Sequence, residues 1–233
     1  MREAFGFLTV LGGARTPTGR ALRWFPLVGA VVGAAVGAVW RSAGEGFPVL
    51  VAAALAVVAD LVLTGMLHVD GLADAADGLL PHAERTRRLE IMRAPDVGAF
   101  GVALVCVTLL MRFAAFGSQP ADVLLVIGIW CAARTTVAVA PAWVPYAREE
   151  GLATAMLDGR IERWPLVALA PAVAVAVVGV GAEGAAAIAA TVIAATGVLM
   201  LARTRVGGFT GDVLGAAIVV GETAGLLVAA ARW

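Results

Sequence analysis

Long apolar runs alternate with short polar connections along the whole chain. Windows near the roughly 20 residues that a helix needs to cross a bilayer fall at 26–41, 47–68, 98–116, 121–143, 164–182, 184–202 and 211–231. The first is short, and the fifth and sixth nearly fuse around Glu183 and Gly184. The pattern predicts an all-α fold: a polytopic integral membrane helical bundle of about seven transmembrane helices, forming a single domain over residues 1–233. Gly29, Gly33 and Gly37 recur at the small-xxx-small spacing that lets helices approach closely.

Composition agrees with that reading. Of 233 residues, 61% are hydrophobic and 15% charged, whereas a soluble domain is nearer half apolar and a quarter charged. Net charge is zero, so no general basic field is present to hold nucleic acid. All 17 basic residues are arginine, which excludes a P-loop lysine or a Schiff base. Cys106 and Cys131 lie inside apolar runs and are too few for a disulfide framework or a zinc site. Arg2, Arg15, Arg20 and Arg23 break up the first 23 residues, which suits a retained cytoplasmic N-terminus and not a signal peptide. With that end inside, thirteen of the 17 arginines fall on cytoplasmic segments. Arg41 and Arg232 fall outside, and Arg112 and Arg134 lie within spans. The asymmetry predicts an odd number of spans with the C-terminus external. Segments 69–97, 144–163 and 203–212 then carry the polar chemistry on one face, whereas a transporter would spread polar groups through the bilayer.

The densest polar cluster runs from Leu67 to His82. Asp70, Asp74 and Asp77, at i, i+4 and i+7, fall within about 60° of one another on an α-helix. Three carboxylates on one face repel unless a cation neutralises them, and oxygen-only ligands at this density suit Mg²⁺ or Mn²⁺. A solvated helix end is the plainer reading; their place directly after an apolar span favours a site. His68 has three open roles: general base, phosphate contact or interfacial structural histidine. His82 is given none. A second cluster, Gly207, Gly208, Phe209, Thr210, Gly211 and Asp212, follows Arg203 and Arg205. Glycines and a following helix N-terminus can cradle an anion, and Asp212 is placed either to ligate metal or to cap the last helix. A third holds Tyr146 and Arg148; Arg148 can grip phosphate in two places, although a belt tyrosine and a positive-inside arginine explain the same pair. Asp60, Arg134 and Glu222 lie an estimated ~12–18 Å from the cytoplasmic helix ends, which predicts mutual pairing, while Arg112 sits nearer the outer end and is expected to snorkel there.

Together the motifs resemble the cobalamin synthase family, the adenosylcobinamide-GDP ribazoletransferases, over almost the whole chain. Phe25-Pro26-Leu27-Val28-Gly29 is similar to the family's first-span entry, and Thr64-Gly65, His68 to Asp74, and Asp77-Gly78 to its signature. Leu89 to Arg93 with Gly98 and Gly101, Arg134, Tyr146 to Leu152, and Gly207-Gly208 with Thr210 to Asp212 follow in family order. The resemblance implies a Mg²⁺-dependent phosphotransfer in which a ribose hydroxyl of α-ribazole, or of its 5′-phosphate, attacks adenosylcobinamide-GDP and releases GMP. It implies His68, Asp70 and Asp74 as catalytic residues, and Asp70, Asp74, Asp77 and Asp212 as metal ligands. Arg93, Arg134, Tyr146, Arg148, Gly207, Gly208, Thr210 and Glu222 would contact substrate. The implied setting is the cytoplasmic membrane of a prokaryote, multi-pass, with the active site facing the cytoplasm. The implied partners are the two substrates and the lipid bilayer, with no nucleic acid; a homo-oligomer is compatible with the sequence. The chain departs from the family at Val10, Ala94 and Val219, where Arg, Asp and Glu are usual. Two rival readings fit less well. A CDP-alcohol phosphotransferase needs a different spacing after Asp70-Gly71, and a cation transporter using Asp60, Asp70 and Asp74 conflicts with the one-sided polar motifs.

Overall fold

The computed structural model describes residues 1–13, 18–148, 167 and 169–231. Among them are ten α-helices: α1 (Arg2–Leu8), α2 (Phe25–Gly46), α3 (Val49–Thr64), α4 (Leu67–Leu79), α5 (Arg85–Ile91), α6 (Ala99–Gly117), α7 (Val123–Val139), α8 (Leu169–Val180), α9 (Ala182–Val206) and α10 (Gly211–Ala229). The seven apolar windows coincide with α2, α3 and α6 to α10. Helices α2, α6, α7, α9 and α10, with their short 3₁₀ extensions, are each long and apolar enough to cross a bilayer, and the α3–α4 pair makes a sixth if counted as one span. The fifth window begins outside the described residues, and α8 is its described part.

Window 47–68 is the one the structure redraws. The chain turns by 89° between α3 and α4, so His68 opens α4 and does not close the preceding span. Gly65 ends α3 in the left-handed region at φ 59, where a residue without Cβ carries no steric penalty. Its N–H donates to Val62 O, and the Met66 N–H donates to Leu61 O at 2.9 Å, closing the helix end in the manner of a left-handed cap. Met66 also has positive φ, at 60. We read α3 as the spanning part and α4 as a helix lying across the end of the bundle, outside the spanning segments.

Helices α7 and α10 form the centre. The α7 window is 83% buried against 28% for α6, and Leu110, Val178 and Ile193 point outward at 65%, 77% and 71% exposure. Outward side chains of that kind require an apolar surrounding; the chain is a multi-pass membrane protein. The glycine stripe of α2 packs on α7: a Cβ at Gly33 would stand 2.8 Å from Val126 O.

Buried charges tie four helices together. Arg112 of α6 donates to Asp60 of α3 and to Glu222 of α10, both at 2.6 Å, and to Thr223 Oγ1 and Val219 O. Arg134 of α7 donates to the other oxygen of Glu222, and Trp130 Nε1 donates to Asp60 at 2.9 Å. Two cations meet two anions, so the cluster is neutral, as charges buried in a bilayer must be. The expected pairing of Arg134 with Glu222 is present. Snorkelling by Arg112 is not: its side chain is 2% exposed. Side chains lean toward the helix N-terminus, and this carries the Arg112 head along α6 into the cluster and away from the nearer end.

Candidate active site

The spacing argument holds for α4: Asp70, Asp74 and Asp77 lie on one uninterrupted helix. Their surroundings differ. Asp70 is exposed, Asp74 half-buried and Asp77 buried. Asp77 turns to α6, accepting from the N–H of Gly98 at 2.6 Å and of Gly101 at 2.9 Å. It therefore caps the α6 N-terminus with both oxygens, a task the spacing could not reveal.

Asp212 takes its place beside Asp70 and Asp74. Gly71 permits this, because a Cβ there would stand 2.9 Å from the Asp212 carbonyl oxygen, so the first turn of α10 lies directly on α4. A cleft of about 80 Å³ opens at this crossing, lined by His68, Asp70 and Asp212, with Phe7 and Leu8 of α1 on its apolar wall. Burial, then the Asp212 and Asp70 carboxylates, push the Asp74 carboxyl up from 3.8 to about 6, against the opposing pull of Arg148. His68 is 4% exposed, and its Nε2 has no hydrogen-bond partner among the described residues. Burial first, then the Arg134 guanidinium, hold its imidazole down near 3, which keeps it neutral.

Among the described residues no three His, Cys, Asp or Glu side chains converge as a preformed metal cage. The carboxylates of Asp70, Asp74 and Asp212, whose like charges help push the Asp74 carboxyl up, are oxygen donors of the kind that a hard cation takes a few at a time, filling its shell with water and phosphate.

Arg148 joins this cluster from the loop after α7. Its Nη2 donates to Asp212 at 2.9 Å and to Met92 O at 3.3 Å. The loop is held by a single parallel bridge between Tyr146 and Phe209: Phe209 N–H donates to Pro145 O and Ala147 N–H to Phe209 O, both at 2.9 Å. The same pairing gives the glycines of the expected anion cradle at 207–210 a packing role. A side chain at Gly208 would collide with the Pro145 carbonyl, and Gly207 turns at φ 82 beside Arg85, so both glycines serve close packing. Thr210 is 0% exposed; its hydroxyl caps α10 through the Val213 N–H and donates to Asp212. Arg134 and Glu222, at 0% and 1% exposure, belong to the interior charge cluster and not to the cleft. Arg93 is exposed and borders a polar cavity with Arg148. Tyr146 is half-buried, edge-on to Phe209 at 5.4 Å.

Two arginines passed over in the sequence hold this end together. Arg88 donates to Gly78 O and Leu79 O at 2.9 and 2.7 Å, satisfying the C-terminal carbonyls of α4. Arg85 donates to Val206 O at 2.8 Å and Ala147 O at 3.2 Å. The affinity of arginine for helix C-termini is the signal that could have pointed to Arg88; nothing in the pattern marks Arg85.

Residues 1–230 match a family described as cobalamin-5-phosphate synthase. The chain is 37% identical over 225 residues to a protein of Chlorobaculum tepidum, covering 90% of this chain and 85% of that one. It is 35% identical over 243 residues to one of Bradyrhizobium diazoefficiens, covering 99% and 93%, and 37% identical over 214 residues to one of Escherichia coli, covering 89% and 86%. All three relatives are named adenosylcobinamide-GDP ribazoletransferase. No solved structure matches the chain. The match runs through α1, α4 and the start of α10, which line the cleft, and through Arg148 beside it, and by its extent the chain belongs to the cobalamin-5-phosphate synthase family.

Proposed function

We propose that this protein is an adenosylcobinamide-GDP ribazoletransferase: it joins α-ribazole, or α-ribazole 5′-phosphate, to adenosylcobinamide-GDP, releases GMP and forms adenosylcobalamin or its 5′-phosphate. The observation that carries the reading is that Asp70 and Asp212 line one cleft at the crossing of α4 and α10, with Arg148 bonded to Asp212 and the Asp74 carboxyl under the influence of both aspartates, in a chain matched to the family over 1–230. In the reaction a free ribose hydroxyl oxygen of the ribazole, not the 5′-oxygen that carries the phosphate in α-ribazole 5′-phosphate, forms a bond to the phosphorus attached to the corrinoid. The anhydride P–O bond to GMP breaks, its electron pair leaves with GMP, and the hydroxyl proton is lost.

Asp70, Asp74 and Asp212 are the residues that would hold Mg²⁺, which when bound offsets the charge of the diphosphate and of the leaving phosphate. Arg148, already bonded to Asp212, orients the leaving phosphate. His68 lines the cleft as a neutral imidazole with a free Nε2 and accepts the hydrogen bond of the attacking hydroxyl. A weak base suffices there, because phosphoryl transfer proceeds through a loose transition state in which positioning and electrostatics dominate. Asp77 acts from behind, fixing α6 against α4. The cleft faces the cytoplasm of a prokaryotic cell, on the side carrying most of the arginines.

The deciding experiment incubates the purified protein in detergent or lipid with adenosylcobinamide-GDP, α-ribazole and Mg²⁺. GMP release that requires all three is the expected result. Absence of GMP and of a ribazole-containing corrinoid under every Mg²⁺ concentration rejects the reading.

A further inference from the structure

A polar cavity of about 360 Å³ is lined by Arg148, the residue that also bonds Asp212. Helix α5 supplies Arg85, Leu89 and Glu90 to its wall, Arg93 follows on the next turn, and Arg148 closes it. Among the described residues, three guanidinium groups stand against one carboxylate, which makes an anion site, and the volume falls within the ordinary range for small-molecule pockets. Arg85 is fixed by two backbone carbonyls through Nε and Nη2, leaving Nη1 to donate. Arg148 bonds Met92 O and Asp212 through Nη2, so it stands between this cavity and the aspartate cleft, and its Nε is buried with no partner among the described residues.

We infer that this cavity takes the guanosine monophosphate half of the activated corrinoid, with Glu90 selecting the base. The inference rests on the ribazoletransferase reading for the identity of the nucleotide. A phosphate held by Arg148, Arg93 and Arg85 sits beside the aspartates, where the leaving group must emerge, and the net positive lining matches a phosphate monoester dianion. Among the described residues, Glu90 is the one acidic residue in the wall. Its two oxygens accept from the N1–H and the 2-amino group of guanine, whereas adenine presents an acceptor at N1 and would repel the carboxylate. Glu90 now accepts from Arg87 at 3.0 Å, with both side chains more than half exposed, a weak surface pair that a base edge displaces at little cost. Leu89 offers the apolar contact for the ring.

Binding of GMP, inosine monophosphate, AMP and inorganic phosphate to the full-length protein in detergent, followed by calorimetry, tests this. The wild type should prefer GMP over AMP by roughly tenfold or more, with inosine monophosphate between them, since each lost hydrogen bond to a charged group is worth about that factor. Glu90→Gln should collapse the preference, Arg93→Ala should weaken all the nucleotides in common, and Arg87→Ala should keep the preference for GMP. Equal binding of GMP and AMP by the wild type, a Glu90→Gln protein that still discriminates, or an Arg87→Ala protein that loses discrimination as Glu90→Gln does would each overturn the pocket assignment. The GMP-release assay separates the two claims. Turnover without purine preference leaves the activity standing and removes the pocket; purine preference without turnover does the reverse.

Discussion

Asp74 is where burial and like charge work together, and two predictions follow from it. Asn has nearly the shape of Asp without its charge, so Asp70→Asn and Asp74→Asn should fold, keep or slightly gain stability without metal, and lose activity by orders of magnitude, because neutralising a phosphoryl transition state is worth several kcal/mol. GMP release across a Mg²⁺ titration checks this; near-normal turnover in both variants would reject the site. The second concerns pH. Burial and the neighbouring carboxylates push the Asp74 carboxyl up to about 6 in the folded protein, against an ordinary 3.8, so between those values the folded state binds more protons than the unfolded chain. Stability without metal should therefore fall as pH rises through that window, the opposite of an aspartate stabilised by ion pairing. Cation binding must expel the same proton, so Mg²⁺ affinity should weaken as pH drops below about 6. Thermal unfolding between about pH 4 and pH 7 should show the slope in the wild type and lose part of it in Asp74→Asn. An unchanged slope would mean that Asp74 is ionised throughout.

Helix α4 was legible as an element but only partly as a site. Its aspartate spacing predicts one helical face, and the helix is continuous. The sharp turn at Gly65 and Met66 was hidden because Thr64, Gly65 and Met66 continue an apolar run, and hydropathy has no term for direction. The neighbour of each aspartate was hidden for another reason: periodicity places side chains around one helix and says nothing about which helix arrives there. Asp77 shares a face with Asp70 and Asp74, yet α6 claims it, while Asp212 comes from more than a hundred residues away. The glycines at 207 and 208 were ambiguous in the same way, since a close backbone approach and an anion cradle demand the same residue. The cap yields a prediction that separates Asp77 from its neighbours. Asp77→Ala would leave the Gly98 N–H and the buried Gly101 N–H without their acceptor, at a cost of about 1–3 kcal/mol. Its melting temperature in detergent should fall, and the residual activity at saturating Mg²⁺ should track the folded fraction. A stable Asp77→Ala protein with abolished Mg²⁺ dependence would instead return Asp77 to the metal site.

For the bundle as a whole, the arginine asymmetry and the one-ended cleft point the same way. Reporter fusions after residues 80 and 206 should read cytoplasmic and a C-terminal fusion external; a cytoplasmic C-terminus together with a cytoplasmic residue 80 would sink the odd-span topology. Between the spans, the neutral cluster of Asp60, Arg112, Arg134 and Glu222 decides how α3, α6, α7 and α10 seat on one another. Glu222 is its hinge, because one oxygen serves Arg112 and the other Arg134. Removing that charge leaves two buried guanidiniums facing Asp60 alone, whereas removing Arg134 leaves Glu222 paired with Arg112. Glu222→Gln should therefore destabilise more than Arg134→Met, the loss of a buried partner costing about 3–5 kcal/mol in comparable cases. The double variant restores neutrality, with Arg112 against Asp60, so it should be clearly more stable than the sum of the single losses. Thermal unfolding of the four proteins in one detergent measures the coupling. A double variant no better than additive would show that Arg134 and Glu222 are neighbours without energetic linkage, and that α7 and α10 are held by their apolar packing alone.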